Sequence, residues 1–131
     1  MKDSEIKVLV VDDEERIRSV FCKIFQREGF HVIEAACAAD AYDLLLENPA
    51  DLILLDINMM EVDGTILYDV VQLFRKEAKV IVTSVYPLED QKRLIQGAED
   101  YYDKSDSLGL LVQKVKKVAD AGINSAASGA A

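Results

Sequence analysis

Leu52-Ile53-Leu54-Leu55-Asp56 is a run of four apolar residues that ends in a carboxylate, followed by Ile57-Asn58-Met59-Met60-Glu61-Val62-Asp63-Gly64. An apolar run with no polar alternation marks a strand covered on both faces, as in parallel sheets packed between helices. Val8-Leu9-Val10-Val11 reads the same way and also ends in acids, Asp12-Asp13. Two buried strands that each deliver carboxylates at their C-terminal ends point to one shared acidic pocket. Such a cluster is costly unless a cation sits in it or a proton stays on it.

Outward from these runs, short apolar segments alternate with longer segments of helical period. Ile6 to Val11 reads as the first strand. Asp13 to Glu28 places Ile17, Val20, Phe21, Ile24 and Phe25 at helical offsets before a stop at Gly29. A strand from His31 to Ala35, an Ala/Leu-rich helix from Ala39 to Glu47 and a strand from Asp51 to Leu55 follow. Gly64 to Lys76 carries the stripe Leu67, Val70, Val71, Phe74, and Lys79 to Thr83 is a fourth strand. Pro87 to Gln96 opens with a proline suited to a first helical turn. Asp100 to Tyr102 is a brief fifth strand, and Asp106 to Ala121 a last helix. Strict alternation of this kind predicts an α/β fold, a parallel sheet between two helical layers.

The 131 residues suit one domain, expected over residues 1–121, with a small, polar, flexible tail over 122–131. Half the residues are apolar, enough for a packed core. The net charge of −9 argues against a nucleic-acid footprint, which needs clustered Lys and Arg. Cys22 and Cys37 lack metal-ligand spacing and read as small neutral residues in a reducing compartment. No leader and no membrane span is visible, so the expected location is cytoplasmic.

In an open parallel sheet, ligands bind beyond the carboxyl ends of the strands, where connections diverge to opposite faces. If the first and third strands are neighbours there, Asp12, Asp13 and Asp56 converge. A phosphate-binding turn would need bare backbone N–H groups; the turn here is Asp12-Asp13-Glu14-Glu15, which repels anions. The natural occupant is a hard divalent cation, Mg²⁺ or Mn²⁺, held by oxygen ligands. Acids at a helix start also complement its dipole, and Asp12 with Glu15 has capping-box spacing. A helix cap does not account for Asp56, however, which terminates a strand elsewhere. The fourth strand ends in Thr83-Ser84, and Lys104 follows the fifth. A hydroxyl and an ammonium at strand ends suit a phosphoryl group beside a metal.

Val10-Val11-Asp12-Asp13-Glu14, Leu54-Leu55-Asp56 with Asp63-Gly64, Ser84, and Gly97-Ala98-Glu99-Asp100-Tyr101-Tyr102-Asp103-Lys104 closely resemble the response-regulator receiver domains of two-component signalling. The similarity runs from Ile6 to about Ala121. It implies a flavodoxin-like, doubly wound five-stranded parallel sheet in the order 2-1-3-4-5 with five helices. It further implies that Asp56 is the phosphoacceptor. Asp12, Asp13, Asp56 and the main-chain oxygen of Asn58 would hold the metal. Ser84, Val85 and Lys104 would contact the phosphoryl group, and Ser84 with Tyr101 would form the switch. Partners would be a histidine kinase or histidine phosphotransfer protein docking near Arg16 to Lys23, and a downstream effector or fused output domain reached through the surface from Pro87 to Val118. No direct nucleic-acid or membrane contact is implied. The protein would be a phosphoacceptor switch rather than an enzyme, with self-catalysed gain and loss of phosphate.

Thr83 and Ser84 compete for the hydroxyl role. Ser84 is preferred because Val80-Ile81-Val82 then fill the apolar positions before it, leaving Thr83 to point into packing. Three positions depart from the family pattern. Ser105 replaces the proline that often follows the lysine, which predicts a trans bond there. Met60 replaces a second proline, and Val85 stands where relatives favour Ala or Gly. Two other readings remain: a receiver-like binding module that is never phosphorylated, and a phosphatase of the haloacid-dehalogenase type. The latter is disfavoured by Asn58, which occupies the place of that family's second acid.

Overall fold

A computed structural model of the chain describes residues 6–58, 64–74 and 77–124. Its strands are β1 (Lys7–Val11), β2 (His31–Ala35), β3 (Leu52–Asp56), β4 (Lys79–Ser84) and β5 (Asp100–Asp103). Its helices are α1 (Glu15–Arg27), α2 (Ala38–Glu47), α3 (Gly64–Phe74), α4 (Leu88–Leu94) and α5 (Leu108–Val118), the last continued by a π-helical segment, Ala119–Asn124. The strands form one parallel sheet in the order β2-β1-β3-β4-β5. This is the flavodoxin-like arrangement that the resemblance implied.

Each central strand feeds two cores because successive side chains point to opposite faces. Leu9, Val11, Ile53, Leu55, Val80 and Val82 pack with residues of α2 and α3 and with Ile95 and Tyr101. Val8, Val10, Leu52, Leu54, Ile81 and Tyr102 pack with Phe21 and Phe25 of α1 and Leu111 and Val115 of α5. Continuous apolar runs are therefore required in β1, β3 and β4, since neither face meets water.

Local chemistry sets the helix ends. Ser107 Oγ accepts from Leu110 N (3.2 Å) and caps α5. Cys37 Sγ accepts from Asp40 N at 3.5 Å and caps α2, a more specific role than the neutral filler expected. Cys22 is buried in the α1 face, and burial, followed by the nearby Glu34, pushes its thiol up to about 12, so it is an inert core group. Past α1, Gly29 takes φ 99°, a left-handed position that glycine reaches without Cβ strain. The capping box expected from Asp12 and Glu15 does not form. Glu14 is the N-cap of α1, and Asp12 Oδ1 instead accepts from Glu14 N at 2.9 Å. Helix α4 is shorter than Pro87–Gln96, because Ile95 is already extended (φ −130°, ψ 113°) and drops into the core.

Candidate functional site

The register of β1, β3 and β4 builds the site. Val11 pairs with Leu55 and Asp56 with Thr83, so the next residue of β1's chain, Asp12, comes level with Asp56. Asp12 and Asp56 follow the alternate positions Val8, Val10 and Leu52, Leu54, so both lie on the α1/α5 side. Both are 1% exposed. One carboxylate oxygen from each of Asp12, Asp13 and Asp56 lies within 4.8 Å of the other two.

Lys104 closes the pocket from the β5 side. Its main-chain N–H donates to Ser84 O (2.8 Å), tying the ends of β4 and β5 together. Its Nζ lies 2.8 Å from Asp12 Oδ2, 3.3 Å from Asp56 Oδ2 and 3.9 Å from Glu14 Oε1, with the side chain only 4% exposed. Burial pulls the Lys104 ammonium down, but its contacts with Asp12 and Asp56 outweigh that and leave it above its ordinary value. For Asp56 it is burial that wins. Burial raises its carboxyl from 3.8 to about 6, against the lowering effects of the Asn58 N–H and Lys104.

The donor set is incomplete. Asp56 Oδ1 accepts from Asn58 N at 2.9 Å. Asp12 Oδ2 is within ion-pair distance of Lys104, yet it receives no hydrogen bond of acceptable geometry and is fully buried. A fully buried carboxylate oxygen met only by the Lys104 ammonium, beside two further carboxylates, fits a hard divalent cation with oxygen ligands.

In β4 the register sets Thr83 and Ser84 on opposite faces of the sheet, and both are buried. Thr83 shares the face of Asp56 because it is its register partner, and a one-residue step moves a side chain to the opposite face. Ser84 continues the Val80, Val82 side, towards α2 and α3. Its Oγ accepts from Tyr86 N at 3.0 Å and shapes the loop after β4. Val85, next in the chain, is 59% exposed. Tyr101 is already inside: its hydroxyl donates to Ile95 O (2.7 Å) and accepts from Ala98 N (3.3 Å).

After Lys104 no cis peptide bond is present among the described residues, in keeping with Ser105 in place of proline. Ser105 N and Oγ both donate to Asp103 Oδ1, at 2.9 and 2.7 Å, closing the loop by bonds that a proline could not make. Met60 lies outside the described residues. Sequence reading missed Arg18, whose Nη1 donates to Asp12 O at 2.7 Å, and Gln91, fully buried, whose Nε2 donates to Tyr86 O and Tyr102 O. Both act through main-chain acceptors, which leave no mark in a sequence.

Comparisons with known proteins agree with this architecture. The family model described as the response regulator receiver domain matches residues 8–116. The chain is 33% identical over 114 residues to the transcriptional regulatory protein SrrA of Staphylococcus aureus (strain NCTC 8325 / PS 47), covering 84% of this chain and 46% of that protein. It thus spans about half the length of that curated relative. A CheY-like response regulator receiver domain protein from Methanospirillum hungatei JF-1 superposes with a TM-score of 0.85 at 25% identity, over 92% of this chain and 98% of that one. The response regulator TrrA of Thermotoga maritima, solved in complex with Mg(2+)-BeF, gives 0.79 at 30% identity, over 86% and 98%. With its parallel sheet in the order 2-1-3-4-5 and its acidic pocket at the strand ends, the chain belongs to the response regulator receiver domain family.

Proposed function

We propose that this receiver takes a phosphoryl group from a phosphohistidine onto Asp56. The observation that supports this reading is the convergence of Asp12, Asp13, Asp56 and Lys104 at the C-terminal ends of adjacent strands. An Asp56 carboxylate oxygen attacks phosphorus in line; the new O–P bond forms as the N–P bond breaks and the imidazole leaves. Mg²⁺ (or Mn²⁺), held by Asp12, Asp13 and Asp56 with the main-chain oxygen of Asn58, supplies neutralising charge to the phosphoryl oxygens when bound. Lys104 places its ammonium against those same oxygens, and the burial of Asp56 limits access of water to the acyl phosphate.

The register favours Thr83 over Ser84 as the hydroxyl that meets the phosphoryl group. A hydrogen bond to a charged group contributes about 1.5–3 kcal/mol. Thr83→Ala is therefore expected to weaken binding of beryllofluoride, a phosphoryl mimic, roughly 10- to 100-fold, and Ser84→Ala to weaken it far less. A fluorescence or NMR titration of the two variants decides the order, and the opposite ranking favours Ser84.

The donor is a histidine kinase or histidine phosphotransfer protein. A groove of about 210 Å³ next to Lys104, lined by Ile17, Val20, Phe21 and Leu108, offers it an apolar seat on α1 and the start of α5. The output surface comprises α4, β5 and α5; Leu94 is exposed on α4, Tyr86 is exposed in the loop before it, and Tyr101 backs the loop after it. It would engage an effector or a fused output domain, in the cytoplasm with the kinase. Among the described residues no helix is long and apolar enough to cross a membrane.

Incubation with Mg²⁺ and acetyl phosphate followed by intact mass tests this reading. One added phosphoryl group, absent without metal, is expected. No adduct under any condition would make the chain a silent binding module, and sustained turnover of unrelated phosphate esters would make it a phosphatase.

A further inference from the structure

We infer that Arg18 is a positioning residue for the acidic pocket, acting through the peptide bond between Asp12 and Asp13. Arg18 lies one turn into α1, and helical side chains lean back over the preceding turn. Its guanidinium thereby reaches the loop between β1 and α1. Nη1 donates to Asp12 O at 2.7 Å, and Nε donates to Glu34 Oε1 at 2.9 Å. The side chain is 13% exposed, against 53% for Glu34.

The opposite side of Asp12 is anchored as well, since its N–H donates to Ala35 O at 3.2 Å. Both main-chain groups of Asp12 are thus tied to β2, one directly and one through the Glu34–Arg18 fork. The carbonyl that Arg18 holds belongs to the peptide plane joining two of the three clustered carboxylates. Fixing that plane fixes the direction in which the Asp12 and Asp13 side chains leave the chain. The planar fork makes both bonds at once, and a lysine ammonium at the end of a flexible stem does not reproduce that geometry.

Charge and positioning pull in opposite directions, which makes the role testable. Arg18 is a cation beside a cation site. If it acted only by charge, its removal would strengthen Mg²⁺ binding, more so because Glu34 would be left unpaired. If it acts by holding the peptide plane, its removal weakens binding. Residues that orient metal ligands without touching the metal typically contribute 10- to 100-fold in affinity.

This inference rests on the proposed metal site, and the experiment separates the two. Mg²⁺ affinity is measured by calorimetry for the parent chain, Arg18→Ala, Arg18→Lys and, as a remote charge control, Arg93→Ala, whose guanidinium lies on α4. Circular dichroism in chelator confirms that each is folded. Arg18→Lys keeps both the charge and the stem, so it reports on the fork if Arg18→Ala does not fold. Both Arg18 variants are expected to lose roughly 10- to 100-fold in Mg²⁺ affinity, with Arg93→Ala unchanged. A parent that binds no Mg²⁺ removes the metal site itself. A parent that binds, with Arg18→Lys at parental affinity or Arg18→Ala binding more tightly, overturns the positioning role.

Discussion

Lys104→Met is expected to cost about 3–5 kcal/mol of folding stability at neutral pH in chelator, the usual loss when one partner of a buried ion pair is removed. Methionine retains the length and most of the volume of the stem, so the change isolates the charge. What remains is Asp12 and Asp56, each 1% exposed, with no cation between them. Desolvation and mutual repulsion then act on both, opposed by the single N–H that each accepts, from Glu14 and Asn58 respectively. For a domain whose total stability is of order 5–15 kcal/mol, that is a large fraction. Two features identify the cause. Acidification should recover much of the loss, because protonating Asp56 removes one of the charges. Saturating Mg²⁺ should recover it near neutral pH, because any ligand that binds only the folded state stabilises it by mass action. Chemical denaturation in chelator and in Mg²⁺ checks both; a loss that neither pH nor metal relieves would point to packing instead.

Asp56→Asn should abolish phosphoryl transfer and at the same time stabilise the metal-free protein. Folding raises the Asp56 carboxyl from 3.8 to about 6, with burial as the main cause. A group whose pKa rises on folding favours the folded state at low pH, and that contribution is lost as pH climbs through about 6. Near neutral pH the ionised Asp56 therefore works against folding by about 3 kcal/mol, taking about 1.4 kcal/mol per pKa unit. An uncharged asparagine of the same shape removes that cost, while Lys104 keeps its contact with Asp12. The gain should read as a rise of several degrees in Tm near neutral pH, shrinking towards zero as the buffer is brought to about pH 4. Thermal melts of both proteins across that range in chelator test it, and a pH-independent difference would refute the electrostatic origin. The pocket would then be one more case in which a functional group is retained at a cost to stability.

Most of the fold was legible because the cores demand it. The runs Val8–Val11 and Leu52–Leu55 leave no face for water, and only a two-sided parallel sheet accommodates both. The acids at their ends were equally plain, since carboxylates that terminate buried strands have no packing role. What sequence alone could not resolve was direction at single-residue precision. Thr83 and Ser84 are chemically alike, and only the folded register sets them on opposite faces of β4. Main-chain partners were also invisible: Arg18 on the Asp12 carbonyl, and Gln91 between Tyr86 and Tyr102, look like ordinary surface helix residues until the chain is folded. The same holds for Asp12, whose Oδ1 serves Glu14 N in place of the expected capping box.

Chemical trapping of the phosphorylated residue tests the central claim most directly. The chain is treated with Mg²⁺ and acetyl phosphate, reduced with borohydride so that an acyl phosphate is converted to an alcohol, and mapped by peptide mass spectrometry. Homoserine is expected at position 56 alone, and none when metal is withheld. Reduction at Asp12 or Asp13, or a phosphate that survives borohydride on a hydroxyl side chain, would contradict it.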